Sequence, residues 1–184
     1  MKVKPNIERG GVVVEIGPKE GHLLDTSGTE AGSSVFKLEN ILVPVDFSDC
    51  SRKALQYAIP FARQFGAALT LLHAVQRYPA APEVVVLETD SVEAAKRELA
   101  ELSGSIDTAV QSRTVVRLGT PHLEIVNAAR EQGVDLIIIA THGHSGLAHV
   151  FLGSTTEKVV RHAPCPVLVV RECEREFVPP MMAT

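Results

Sequence analysis

The chain has no tryptophan, and aromatic residues make up only 4% of its 184 positions. Single-stranded nucleic acid is held on aromatic stacking platforms, so their scarcity argues against that ligand class. Cationic side chains are in the minority, 18 Lys and Arg against 22 Asp and Glu, for a net charge of −4. Phosphate backbones attract basic surfaces, so we expect no nucleic-acid partner. Only three cysteines occur, Cys50, Cys165 and Cys173, and none stands in a Cys-x-x-Cys pair. That fits neither a disulfide framework nor a zinc site and points to a reducing, cytoplasmic setting. No run approaches the roughly 20 apolar residues that cross a bilayer. The opening Met-Lys-Val-Lys-Pro-Asn has no apolar stretch behind it, so neither a membrane span nor a secretory signal is expected. Absent too are the Gly-x4-Gly-Lys-Ser/Thr loop of P-loop enzymes and the Gly-x-Ser-x-Gly elbow of hydrolases.

What is present is an ordinary globular composition, 45% hydrophobic, with enough chain for one full core. Residues 1–37 stand apart, rich in Gly, Ser, Thr and Glu around the short apolar run Val12-Val13-Val14. They read as an N-terminal extension, either a flexible arm or a short hairpin. Residues 173–184, with Pro179-Pro180, read as a C-terminal tail. Between them, 38–172 form the domain.

Within the domain, strand-like and helix-like runs alternate. Ile41 to Asp46 is a short apolar strand. Ser48 can cap a helix whose apolar positions Ala54, Leu55, Ala58, Ala62 and Phe65 recur at helical spacing. Pro60 interrupts that helix and Gly66 ends it. Ala68 to Val75 is the second strand. Asp90 and Glu93 have capping-box spacing, followed by the stripe Val92, Ala95, Leu99, Leu102. Arg113 to Leu118 is a third, more polar strand. Thr120-Pro121 opens a helix to about Gln132. Val134 to Ala140, a helix from Ser154 to Ala163, and Pro166 to Val170 complete the set.

Four of the five strands are almost continuously apolar, as a parallel sheet covered on both faces requires. With right-handed crossovers this is a doubly wound, Rossmann-like α/β fold: an open sheet of five parallel strands, helices on both faces, strand order 3-2-1-4-5. Ligands of such sheets bind beyond the carboxyl ends of the strands, where the winding reverses. There the first strand ends at Asp46 and the fourth at Ala140.

Ala140 leads into the strongest functional signal, Thr-His-Gly143-His-Ser-Gly-Leu-Ala-His-Val-Phe-Leu-Gly153-Ser154. A glycine-bearing loop between a strand and a helix start is where α/β proteins hold phosphate, because amides at a helix N-terminus point at the anion. Asp46 would face this loop and accept hydrogen bonds from ribose hydroxyls or an adenine amino group. Ser154 reads both as the N-cap, with Glu157 completing a capping box, and as a phosphate-binding hydroxyl beside the Thr155 amide.

These residues resemble the universal stress protein family. The likeness runs from about Asn40 to Arg171 and rests on Ile-Leu-Val-Pro-Val-Asp-Phe-Ser, Leu-Leu-His-Ala-Val, Thr-His-Gly, Leu-Gly-Ser-Thr-Thr-Glu and His-Ala-Pro-Cys-Pro-Val-Leu-Val-Val-Arg. ATP-binding members carry Gly-x2-Gly-x9-Gly-Ser/Thr. Gly143 and Gly153-Ser154 match, whereas Ala140 replaces the first glycine. If position 140 took a positive φ, alanine would cost roughly 1–2 kcal/mol, an affinity loss of about tenfold or somewhat more. A strand-end φ would make the methyl harmless.

The resemblance implies binding of ATP, or ADP or AMP, with or without Mg²⁺. Pro44, Val45 and Asp46 would line base and ribose, and Ala74 and Ile139 would pack on adenine. Gly143, Gly153, Ser154, Thr155 and Thr156 would hold phosphates, with Ala140 beside them and His142 orienting the loop. It also implies a homodimer through the last strand, Val167-Leu168-Val169-Val170, an apolar edge that calls for a partner. An unidentified protein partner would read the nucleotide state.

Three readings compete: a nucleotide-dependent stress regulator, a dimeric interaction module without nucleotide, and a true ATP-consuming enzyme. Residues 140–154 contain no lysine or arginine to neutralise a transferring phosphate, so at most slow hydrolysis is expected. His142, His144 and His149 show no spacing that supplies a fourth ligand, so no metal site is expected. His73, in an apolar strand, reads as a satisfied core or crevice histidine. Cys50 reads as a small, partly buried side chain.

Overall fold

A computed structural model of the chain describes residues 2–6, 11–15, 37–76, 84–141 and 152–171; of 2–6, 11–15 and 84–90 only the backbone course is described. The chain divides into two compact units, Met1–Phe36 and Lys37–Thr184. In the first, β1 (Lys2–Asn6) and β2 (Gly11–Glu15) pair antiparallel, from Lys2 opposite Glu15 to Asn6 opposite Gly11. The Val12–Val14 run lies in β2. The tail 173–184 lies outside the described residues.

The second unit is β3 (Asn40–Pro44), α1 (Asp49–Phe65), β4 (Ala68–Val75), α2 (Val84–Gly104), β5 (Ser112–Leu118), α3 (Pro121–Glu131), β6 (Leu136–Ala140), α4 (Ser154–His162) and β7 (Val167–Val170). All five strands are parallel, in the order β5-β4-β3-β6-β7. The domain's first strand is therefore central, with its second and third strands on one side and its fourth and fifth on the other. This is the doubly wound 3-2-1-4-5 arrangement.

Alternation along the strands sorts the core into two layers. Ile41 and Val43 of β3, Leu69 and Leu71 of β4 and Ile138 of β6 pack with Ala54, Leu55, Ala58 and Ala62 of α1 and Leu99 of α2. Leu42, Leu72, Ile137 and Ile139 face the other way, onto Ile125, Ala128 and Ala129 of α3 and Val159 of α4. Burial on both faces is why these strands read as unbroken apolar runs rather than alternating ones. Edge strand β5, half-buried to exposed along its length, is the polar exception.

Ser48 caps α1, its hydroxyl accepting from the Ser51 amide at 3.3 Å, and Gly66 ends the helix in the left-handed conformation at φ 68°. Pro60 sits on the exposed flank and the helix continues to Phe65. Phe65 does not join the core stripe: it is 41% exposed in the last turn, stacked on Phe61. Helix α2 begins at Val84, ahead of the capping-box pair Asp90 and Glu93, which fall within it. A β-branched run such as Val84–Val86 lowers helix propensity by only some tenths of a kcal/mol per residue. The longer helix still presents Ala95 and Leu99, both buried, to the sheet. Thr120 and Pro121 open α3 as expected, although the Thr120 hydroxyl makes no cap bond. No helix among the described residues is long and apolar enough to cross a membrane.

Candidate functional site

The carboxyl ends of β3, β4 and β6 meet the N-termini of α1, α3 and α4 around a cavity of about 330 Å³. Ten of the residues singled out from the sequence line it: Pro44, Val45, Asp46, Ala74, Ile139, Ala140, Gly153, Ser154, Thr155 and Thr156. His142 and Gly143 lie outside the described residues, as do His144 and His149. Six further lining residues are Ser51, Leu72, His73, Pro121, Ile125 and Thr141. Pro121 and Ile125 come from the first turns of α3, which packs beside β4. Their place follows from strand order, and no local motif marks them. His73 lines the cavity as the crevice histidine that its place in an apolar strand suggests.

One end of the cavity is formed by the start of α4. Its N-cap is Gly153 (φ −64°, ψ 149°), not Ser154, which is the first helical residue. The cap is pinned because the Gly153 amide donates to the Thr141 carbonyl at 2.8 Å. Glu157 does not close a capping box; its carboxylate pairs with Arg161 at 2.8 Å, one turn on. A glycine cap has no side chain to occupy the first-turn amides, and Ser154 and Thr155 themselves line the cavity. The buried Thr156 hydroxyl donates to the Ala140 carbonyl at 2.8 Å. Its proton is thus committed within the protein, which leaves its backbone amide as its donor toward an anion.

Across the cavity, Asp46 follows β3 in a tight turn. Its Oδ1 accepts from the Ser48 amide at 3.2 Å and the Ser48 hydroxyl at 2.5 Å. The Asp46 amide donates to Ser51 Oγ at 3.4 Å, and Ser51 Oγ in turn donates to the Ser48 carbonyl at 2.9 Å. Between Asp46 and Ser48 the backbone of Phe47 is left-handed, φ 67°, which a side-chain-bearing residue adopts at a cost of about 1–2 kcal/mol. Such strain persists only where neighbours over-determine it. Leu72, Ile139, Pro121 and Ile125 give the cavity its apolar lining.

Ala140 closes β6, opposite Val170 of β7, and among the described residues Phe47 alone of the non-glycines has positive φ. The backbone at 140 therefore makes no demand for glycine, and its methyl is part of the core at 5% exposure. We expect Ala140→Gly to leave nucleotide affinity within about threefold. It should lower unfolding stability by about 1 kcal/mol, through lost packing and added chain entropy. Parallel ligand titration and denaturant melts check both halves.

Beside the cavity, at the start of α3, burial lowers the His122 proton affinity below its ordinary value of 6.5, and the Lys158 and His162 charges add to the effect. A histidine held neutral in the fold is protonated more readily in the unfolded chain. Stability should therefore fall as pH drops below about 6.5 and level off once the folded-state value is passed. His122→Asn should flatten that slope in denaturant melts between pH 5 and 7.5.

Val167, Leu168, Val169 and Val170 form β7, the outermost strand beside β6. Val170 is buried and the other three are half-buried.

Fold and cavity together define a doubly wound α/β domain with its crevice at the topological switch point, between the strand that starts the sheet and a glycine-capped helix. Residues 37–171 match the model of the universal stress protein family, and the chain belongs to that family. It is 34% identical to the universal stress protein YxiE of Bacillus subtilis over 144 residues, 71% of this chain and 97% of that protein. Among solved structures it is similar to the universal stress protein UspA of Lactobacillus plantarum, with TM-score 0.67 and 31% identity, covering 73% of this chain and 99% of that one. It is also similar to a universal stress protein solved in complex with cAMP, with TM-score 0.56 and 26% identity, covering 74% of this chain and 99% of that one.

Proposed function

We propose that the crevice binds an adenine nucleotide, ATP or its products ADP or AMP, and that occupancy regulates what the protein contacts under stress. The observation that carries this is the pairing of Asp46 with the glycine-capped start of α4 across one apolar-walled cavity. A carboxylate suits ribose hydroxyls, helix-end amides suit phosphate, and the apolar wall suits a base. The cAMP complex of a relative supports the same ligand class. The cavity residues include no lysine or arginine among those described, so the site holds nucleotide rather than turning it over quickly. Hydrolysis, with Mg²⁺ as the counter-charge to the phosphates if it were bound, would be slow at most. Two copies pair through the apolar edge β7, in the cytoplasm, and an unidentified protein reads the occupied dimer.

Freshly purified protein should release adenine nucleotide on denaturation, identified by chromatography. Stripped protein should bind ATP with Mg²⁺ at micromolar affinity by calorimetry. Neither nucleotide nor heat of binding would leave the dimeric interaction module as the function of the fold.

A further inference from the structure

His73 takes hold of the β3–α1 turn on both sides of Asp46. Its Nδ1 lies 2.8 Å from the Val45 carbonyl. A carbonyl only accepts, so Nδ1 carries the hydrogen. That bond orients the planar peptide that links Val45 to Asp46. On the far side, the Phe47 ring stacks on the same imidazole, with centroids 4.5 Å apart and planes 28° from parallel. Phe47 is the residue whose φ of 67° gives the turn its shape. One side chain, projecting from the neighbouring strand, thereby grips residues 45 and 47 and leaves 46 between them facing the cavity.

From this geometry we infer that His73 is the positioning residue for Asp46: its Nδ1–H and its ring face together set where the carboxylate stands for a ribose. The hydrogen bond requires a donor two bonds from Cβ, and the stack requires a flat ring. Histidine supplies both, phenylalanine only the face and asparagine only the donor. The ribose half of the inference rests on the nucleotide reading above. The half concerning the turn does not, because it is visible in the protein without ligand.

The test uses His73→Phe and His73→Asn in the full chain. In ligand-free protein, exchange of the Ser48 amide, which bonds to Asp46, should accelerate about tenfold in the Phe variant. It should accelerate only about threefold in the Asn variant, which keeps the hydrogen bond but not the stack. Affinity for ATP should fall about tenfold in His73→Phe and by only about threefold in His73→Asn, whereas affinity for 2′,3′-dideoxy-ATP should be the same in all three proteins. Equal losses for both nucleotides, or unchanged Ser48 exchange in His73→Phe, would overturn the positioning role. A wild-type protein that binds neither nucleotide, yet shows the exchange pattern, would overturn the nucleotide reading while leaving His73 as the clamp of the turn.

Discussion

Ser154→Asp should make the protein slightly more stable and weaken nucleotide binding at least about a hundredfold. Ser154 is exposed at the first position of α4, behind a glycine cap that offers the first turn no side-chain acceptor. A carboxylate there meets the positive end of the helix dipole, a gain of about 0.3–1 kcal/mol. For a domain of this size that raises the melting temperature by about 1–4 °C. The same carboxylate occupies the space offered to phosphate. Two like charges about 4 Å apart near a protein surface repel by about 4 kcal/mol, so affinity should drop by at least about a hundredfold. Thermal melts and calorimetric titration read the two opposed effects. Ser154→Asn, which lacks the charge, should keep most of the affinity. Unchanged binding by the Asp variant would place the phosphates away from α4.

Removal of the carboxylate opposite should act from the other end of the ligand. In Asp46→Ala, affinity for ATP should fall about ten- to a hundredfold, since a hydrogen bond to a charged acceptor is worth about 1.5–3 kcal/mol. The Ser48 amide and hydroxyl both bond to Oδ1 of this carboxylate. Asp46→Asn retains an acceptor for Ser48 but not the charge, and should fall between wild type and alanine. Both variants should remain folded, because Asp46 is half-buried and outside the two core layers. Full affinity in Asp46→Ala would remove this residue from the site.

Much of the fold can be read in the sequence because its signals are local and repeated. Apolar runs of strand length, Ser48 and Gly66 at the ends of α1, and Thr120-Pro121 before α3 each act within a few residues. The boundaries that shifted did so where a local signal competed with a longer-range one. The pair Asp90 and Glu93 has the spacing of a helix start, yet the helix that packs Leu99 on the sheet extends back to Val84. Ser154 is a good capping residue, but the bond from Gly153 to Thr141 places the cap one residue earlier. Phe65 fits the stripe by spacing and misses it because the helix outruns the core at its last turn.

The cavity divides in the same way. Asp46, Ala140 and Ser154 stand at ends of strands and helices that the alternation itself marks. Pro121 and Ile125 reach the cavity only because α3 packs beside β4, a fact of topology rather than motif. The left-handed Phe47 and its stack on His73 could not be read either. Nothing in the triplet Asp-Phe-Ser marks a strained backbone, and the ring that supports it comes from a different strand.

The hydrogen bond from Gly153 to Thr141 ties the end of β6 to the start of α4 across the intervening stretch of chain. Because that knot holds by itself, the stretch can vary in length at modest entropic expense, about 0.6 kcal/mol for each doubling. Strand end and helix start stay in register whatever is spliced between them. The two halves of the cradle are thus joined by a bond of their own as well as by the chain.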